Sequence, residues 1–175
     1  MRCGRPLFYT WRIFADSVGP ILLDRTIEDV RRSCPGAADS TIAMGIPELV
    51  IPGFGGKLLL EPESAAYVRP RGPIGSAIVR TPEVRRPDGI GVGSTLQDLR
   101  AHFGSMLIWV DPEAGFYAVE RRPSPFVYWL EATALATTRF TEEDSAVASD
   151  GVPGEARVEA VMVWSPTVMR LDQQN

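Results

Sequence analysis

The run Gly89-Ile-Gly91-Val-Gly93-Ser94-Thr95 stands ahead of a helix pattern, where the N–H groups of a glycine-rich turn could cradle a phosphate. Its spacing is not the G-x-G-x-x-G of a dinucleotide loop, and no lysine follows as a P-loop requires. The equivalent stretch Pro20 to Arg25 precedes a similar helix without glycines, so these glycines read as turn and close-packing residues. His102 is the only histidine, which excludes a histidine metal cluster and a two-histidine relay. A nucleophile paired with it would be Ser94 or Cys34. Its place in the last turn of a helix, where the dipole favours a cation, points instead to a structural role. Glu142, Glu143 and Asp144 lack EF-hand spacing and read as a solvated charge run. Arg69, Arg71, Arg80, Arg85 and Arg86 could line a basic edge facing an anion. The sequence therefore predicts no catalytic residues, no cofactor and no metal site.

Cys3 and Cys34 are the two cysteines of the chain. Cys34 falls on the apolar stripe of the first helix. Two readings stay open: a buried small apolar residue, or a Cys3–Cys34 disulfide in an oxidising compartment. The bridge would require Cα atoms within about 7 Å.

The aromatic residues carry more functional promise. Trp109, Phe116, Tyr117, Phe126, Tyr128, Trp129 and Trp164 lie on neighbouring strand patterns. Alternation puts Phe126 and Tyr128 on one sheet face and Trp129 on the other. A helix layer covers only one face, so rings on the other can meet a partner. The candidate contact residues are Trp109, Tyr117, Tyr128 and Trp129, with Trp11 from the N-terminal run. The competing reading packs these rings in the core.

The elements that position these residues are written twice. Thr26-Ile-Glu-Asp-Val-Arg31 recurs 69 residues later as Thr95-Leu-Gln-Asp-Leu-Arg100. In the first copy Ile27, Val30 and Cys34 form the apolar stripe, Thr26 caps the helix and Pro35-Gly36 stops it. In the second, Ser94 or Thr95 caps, Leu96, Leu99 and Phe103 form the stripe and Gly104 ends it. Strand-like runs follow each helix, at 43–51, 57–60, 65–69 and 74–80, and again at 106–111, 116–121, 126–131 and 157–164. Asp111 to Gly115 is a hairpin signal. Ile74 to Pro82 also matches Val158 to Pro166 without gaps, at an offset of 84. The extra residues of the second copy fall in an insertion at about 137–154, read as a mobile loop or hairpin extension.

These patterns predict an α+β fold: two tandem helix-then-antiparallel-strand units forming one curved antiparallel sheet, with helices on one face. The boundaries are an N-terminal arm at 1–16, unit one at 17–84, unit two at 85–168 and a tail at 169–175. The net charge of −4 gives no reason to expect nucleic acid. The one lysine, Lys57, among 18 basic residues is the bias expected of a GC-rich genome. No apolar run is long enough to span a bilayer. Residues 7–14, broken by Thr10 and Arg12, form no apolar core of a secretion signal.

The repeated T-[IL]-x-D-[VL]-R helix start and the helix-then-strands order, over residues 17–167, resemble the β-lactamase-inhibitor-protein-like architecture. They are also similar to small outer-membrane assembly lipoprotein domains built on one such unit. The resemblance implies a curved sheet whose open face grips another protein, an extracytoplasmic location and no catalysis. This chain lacks a disulfide in each repeat and matches none of the inhibitor's contact residues, so no functional residue transfers.

The expectation is thus a non-catalytic protein-binding or structural module, periplasmic or otherwise extracytoplasmic, with a cytoplasmic location as the alternative. It would dock as an extrinsic subunit on another protein or a multi-subunit membrane complex, through its open sheet face and N-terminal arm. The alternative is a small-ligand carrier or hydrolase with its site between sheet and arm. A third reading is an anion-binding regulatory domain using the arginine edge.

Overall fold

Each of the two longer helices starts where a threonine can close it. Thr26 is extended (φ −86°, ψ 157°); its hydroxyl accepts the Asp29 N–H at 3.1 Å, and the Asp29 carboxylate accepts the Thr26 N–H at 3.2 Å. Thr95 (φ −92°, ψ 162°) repeats this box with Asp98, at 3.1 and 2.8 Å. The cap of the second helix is therefore Thr95. Helix α1 spans Ile27–Ser33 and buries Ile27 and Val30; α2 spans Leu96–Phe103 and buries Leu96 and Leu99. The computed structural model describes residues 11–41, 47–54, 57–62, 73–111, 115–120, 123–135, 146–148, 152–166 and 168–169.

Replacing Thr26 or Thr95 by Ala is expected to cost about 1 kcal/mol each, read as a lower urea midpoint. The threonine hydrogen bonds also hold the Asp29 and Asp98 carboxyls below their usual range. That contribution is present above the ordinary carboxyl value and is lost as pH falls through the lowered values. Either substitution should accordingly flatten the acid limb of the stability curve.

Among the described residues nine strands form one antiparallel sheet. From one edge to the other these are β10 (Ala146–Ala148), β7 (Met106–Asp111), β8 (Gly115–Glu120), β9 (Phe126–Leu130), β11 (Val158–Trp164), β6 (Ile74–Val79), β5 (Leu58–Pro62), β4 (Pro47–Val50) and β3 (Ala38–Thr41). A two-stranded ribbon, β1 (Ser17–Val18) with β2 (Ile21–Leu22), and a short α3 (Ala132–Leu135) complete the elements. Strands β7, β8, β9 and β11 fall within one residue of the runs read from the sequence. The run at 43–51 becomes a strand starting at Pro47, a first position where the missing N–H is tolerated. The run at 65–69 and the first ten residues lie outside the described residues. Within the 137–154 insertion, Ala146–Ala148 adds an edge strand beside β7.

At the centre of the sheet Ile78 pairs with Met162, flanked by Val79 with Val161 and Ala77 with Val163. On the outer side of β6 the register slips between Glu61 and Pro62, leaving Gly75 as the extra residue. On the outer side of β11 it slips between Val158 and Ala160, leaving Glu159. Each helix cap is stitched to the start of one of these central strands: the Ile74 N–H donates to Arg25 O at 2.9 Å, and the Val158 N–H to Ser94 O at 2.8 Å.

The alternation of side chains separates two apolar layers. Leu58, Leu60, Ala77, Val79, Tyr128, Val161 and Val163 join Ile27, Val30, Leu96 and Leu99 of the helices in the main core. Leu59, Ile78, Ala160 and Met162, of the opposite parity, form a second cluster with Val50, Val127, Trp129 and Trp164 against it. The chain segment before β1 closes the core: Trp11 meets Phe54 edge-on at 4.8 Å, and the Ile13 N–H donates to Arg85 O at 3.0 Å. Gly19 (φ +58°) lies under Trp11, where an added Cβ would come within 2.3 Å of the ring.

Candidate functional site on the second sheet face

The register assembles three of the sequence-predicted aromatic residues into a row. Trp109 pairs with Tyr117, Tyr117 with Trp129, and Trp129 with Ala160 on the central strand. Two residues along, Leu107, Val119, Val127 and Met162 make a parallel aliphatic row. Directly opposed side chains on one face lie about 5 Å apart at Cβ, so the rings form a contiguous platform. Trp109, Tyr117 and Trp129 are all half-buried, as are Leu107, Val119 and Val127. The Arg80 guanidinium sits 5.1 Å from the centroid of the Trp129 ring.

Across the central strands the same face becomes acidic. Trp164 pairs with Ser76, and Ser76 with Glu61, whose Oε2 accepts the Ser76 hydroxyl at 2.6 Å. Leu49 pairs with Leu60 and Val50 with Leu59, which brings Glu48 opposite Glu61 one step further along. Glu48 is only 6% exposed, and among the described residues its Oε1 has no hydrogen-bond partner. Burial first, and the Glu61 charge second, raise its carboxyl above the ordinary value, against the pull of Arg80. The folded chain therefore holds this proton more tightly than the unfolded chain does. Its contribution to stability is complete below the ordinary carboxyl value and is lost as pH rises through the raised one. Glu48→Gln should raise stability at neutral pH by about 0.5 kcal/mol, the scale of opposed like charges in a sheet, and leave it unchanged in acid. Urea titrations at several pH values check this.

Two of the five candidate contact residues belong to the scaffold instead. Trp11 is 6% exposed, and Tyr128 is fully buried on the helix side. The Tyr128 hydroxyl accepts from Arg86 Nη1 at 2.6 Å, and burial drives its ionisation well above the usual tyrosine range. Arg86 also meets Asp88 Oδ2 at 2.9 Å and Glu120 Oε1 at 3.4 Å, and Ser124 Oγ donates to the same Glu120 oxygen at 2.9 Å. Its guanidinium lies 4.1 Å from the Phe126 ring centroid and 4.8 Å from that of Phe103. The nearby Asp88 does not by itself single out Arg86, because its other partners, Glu120 and Tyr128, lie 34 and 42 positions away. Glu48, Glu61 and the aliphatic row were likewise missed, since only strand order brings them together.

The glycine turn has the polarity of a cation holder. Arg85 donates from Nη1 to Gly89 O at 2.9 Å and from Nη2 to Val92 O at 2.7 Å, so carbonyls point inward where a phosphate would need N–H groups. A Cβ on Gly91 would approach Arg85 Cγ to 2.8 Å. Arg85 and Arg86 are thus engaged internally rather than lining a basic edge; Arg69 and Arg71 lie outside the described residues, as do Glu142, Glu143 and Asp144. His102 Nε2 is 3.2 Å from Asp88 Oδ2 and shares an open groove of about 480 Å³ with Ser94. The Ser94 hydroxyl accepts the Gly91 N–H at 3.2 Å and lies 3.4 Å from Arg85 Nη1. Cys34 lines a different groove, beside Ile21 and Val30, and is buried and disulfide-bonded; Cys3 lies outside the described residues. Among the described residues no group of three or more His, Cys, Asp or Glu could hold a metal, and no helix is long and apolar enough to cross a membrane.

The architecture defines an α+β protein built on a broad antiparallel sheet. It shares its fold with a solved structure, the uncharacterized protein YfeY from Escherichia coli, at a TM-score of 0.53 and 12% identity, over 87% of this chain and 99% of that one. At that identity the likeness is one of fold alone. No family model and no curated protein matches the chain.

Proposed function

We propose that the chain is a non-catalytic protein-binding module that docks on a partner protein or membrane complex through the second sheet face. The carrying observation is the half-buried row Trp109–Tyr117–Trp129 beside Leu107, Val119 and Val127, a broad aromatic surface of the kind enriched in protein interfaces. We read the scaffold as two tandem units of the inhibitor-like type. Support comes from matched positions: at the offset of 84, Gly75 falls on Glu159 and Ile74 on Val158, and Ile78 pairs with Met162, its own counterpart. The matching capping boxes at Thr26 and Thr95 support it too. The extrinsic, extracytoplasmic role is part of the same proposal. It rests on the resemblance and on a candidate Cys3–Cys34 bridge.

The hydrolase reading has one observation in its favour, the groove shared by Asp88, Ser94 and His102. Against it, the Ser94 hydroxyl is bonded to the Gly91 N–H and Arg85 rather than to His102, so the imidazole that Asp88 Oδ2 meets at 3.2 Å has no nucleophile aligned with it among the described residues. The deciding experiment crosslinks the tagged chain in its native host and compares Trp109→Ala and Trp129→Ala with His102→Ala. The proposal expects a crosslinked protein retained by His102→Ala and lost from the two tryptophan variants. A partner retained equally by the tryptophan variants would sink it.

A further inference from the structure

The acidic end of the face says what kind of partner fits it. Glu48 and Glu61 lie on adjacent strands of one face, Glu48 almost wholly buried with an Oε1 orphaned among the described residues, and Glu61 tied to Ser76. Opposed carboxylates repel, and a buried carboxylate oxygen without a donor is costly to desolvate. A positive group beside them relieves both. The Trp164 ring, on the strand next to Ser76, adds a π surface on which a cation can rest, as Arg80 already does on Trp129.

We propose that the partner engages this face with an extended basic segment, whose arginine or lysine side chain sits over Glu61 and Trp164, with the buried Glu48 carboxylate beneath them, while its apolar side chains run over the Trp129–Tyr117–Trp109 row. This deepens the docking reading and depends on it. Three strand spacings and four residues of rise separate Glu61 from Trp129, about 20 Å on a pleated sheet. An extended segment of about six or seven residues spans that length. The acidic pair fixes the register of the segment, and the aromatic row supplies most of the apolar contact.

The test is a selection of random dodecapeptides displayed on phage against the full chain, followed by affinity measurements on the enriched peptides. The expected result is a fixed arginine or lysine about six or seven positions from an apolar run. Binding should weaken at least tenfold in Glu61→Gln and in Glu48→Gln/Glu61→Gln, with thermal unfolding confirming that both variants fold. Replacing the fixed basic residue by glutamine in the peptide should lose the same factor. Enriched peptides without a basic residue, equal binding by the glutamine variants, or no enrichment would each overturn the cation site. The docking reading is separately tested by Trp129→Ala: if that variant loses peptides that the glutamine variants keep, the face binds but the acidic pair does not select. If it binds them as well as the parent chain, both ideas fall.

Discussion

Arg86→Ala is expected to destabilise the fold by about 3 kcal/mol, a large share of the stability of an ordinary domain. The reason lies less in the bonds removed than in what they leave behind. The Asp88 and Glu120 side chains are only 19% and 20% exposed; without the guanidinium Asp88 is left with the Ile90 N–H and His102, and Glu120 with the Ser124 and Tyr128 hydroxyls, so both carboxylates lose their arginine charge. Arg86→Met keeps most of the packing volume and should lose nearly as much. Combining it with Glu120→Gln should recover part of the loss, because the double variant no longer buries that charge unpaired. Urea denaturation of the three variants settles the matter, and a loss below about 1 kcal/mol in Arg86→Met would mean the network is ornamental.

The second large effect is on binding. Trp109→Ala and Trp129→Ala should each weaken attachment to the partner by about 2 kcal/mol, roughly thirtyfold, as central aromatic anchors do. The half-buried positions of the two rings make separation from stability feasible for Trp109, at the outer end of the row. Trp129 also packs against Ala160 and Met162 in the second cluster and will lose some stability as well. Comparing each variant's crosslinking yield with its unfolding midpoint distinguishes a contact from a scaffold residue. Leu107, on the same strand as Trp109, gives a milder control of the same surface.

Local patterns reveal the helices and most central strands because each element signals its own structure. Thr26 with Asp29 and Thr95 with Asp98 are capping boxes complete within four residues, and β9 alternates buried and half-buried along Phe126–Leu130. The edges were harder. β3 is Ala-Asp-Ser-Thr, paired on one side only among the described residues, and has no apolar alternation to mark it. β10, with the same one-sided pairing, fell inside a stretch read as a loop. Of the proposed site, alternation makes legible only the faces: it separates Trp129 from Phe126 and Tyr128, and the contact reading of Tyr128 conflicts with its burial on the helix side. Glu48 and Glu61, and the approach of Glu120 to Arg86, are invisible to any short window of sequence, since long-range pairing alone makes neighbours of them. A buried arginine or glutamate defies the usual preference of its type, and only the finished sheet supplies the reason.

The seam at Ile78 and Met162 has one more implication. The two halves of the sheet join edge to edge, and each residue of that seam faces the counterpart of its own position or of a near neighbour. A fragment ending at β6, or one beginning after it, would carry a bare apolar rim of six or seven residues, with nothing to stop it meeting another copy. The same geometry that would make a severed half sticky is self-complementary, as in an isologous dimer. Continuity of the chain across 80–157 thus holds inside one molecule a pairing that separate halves would otherwise seek from each other.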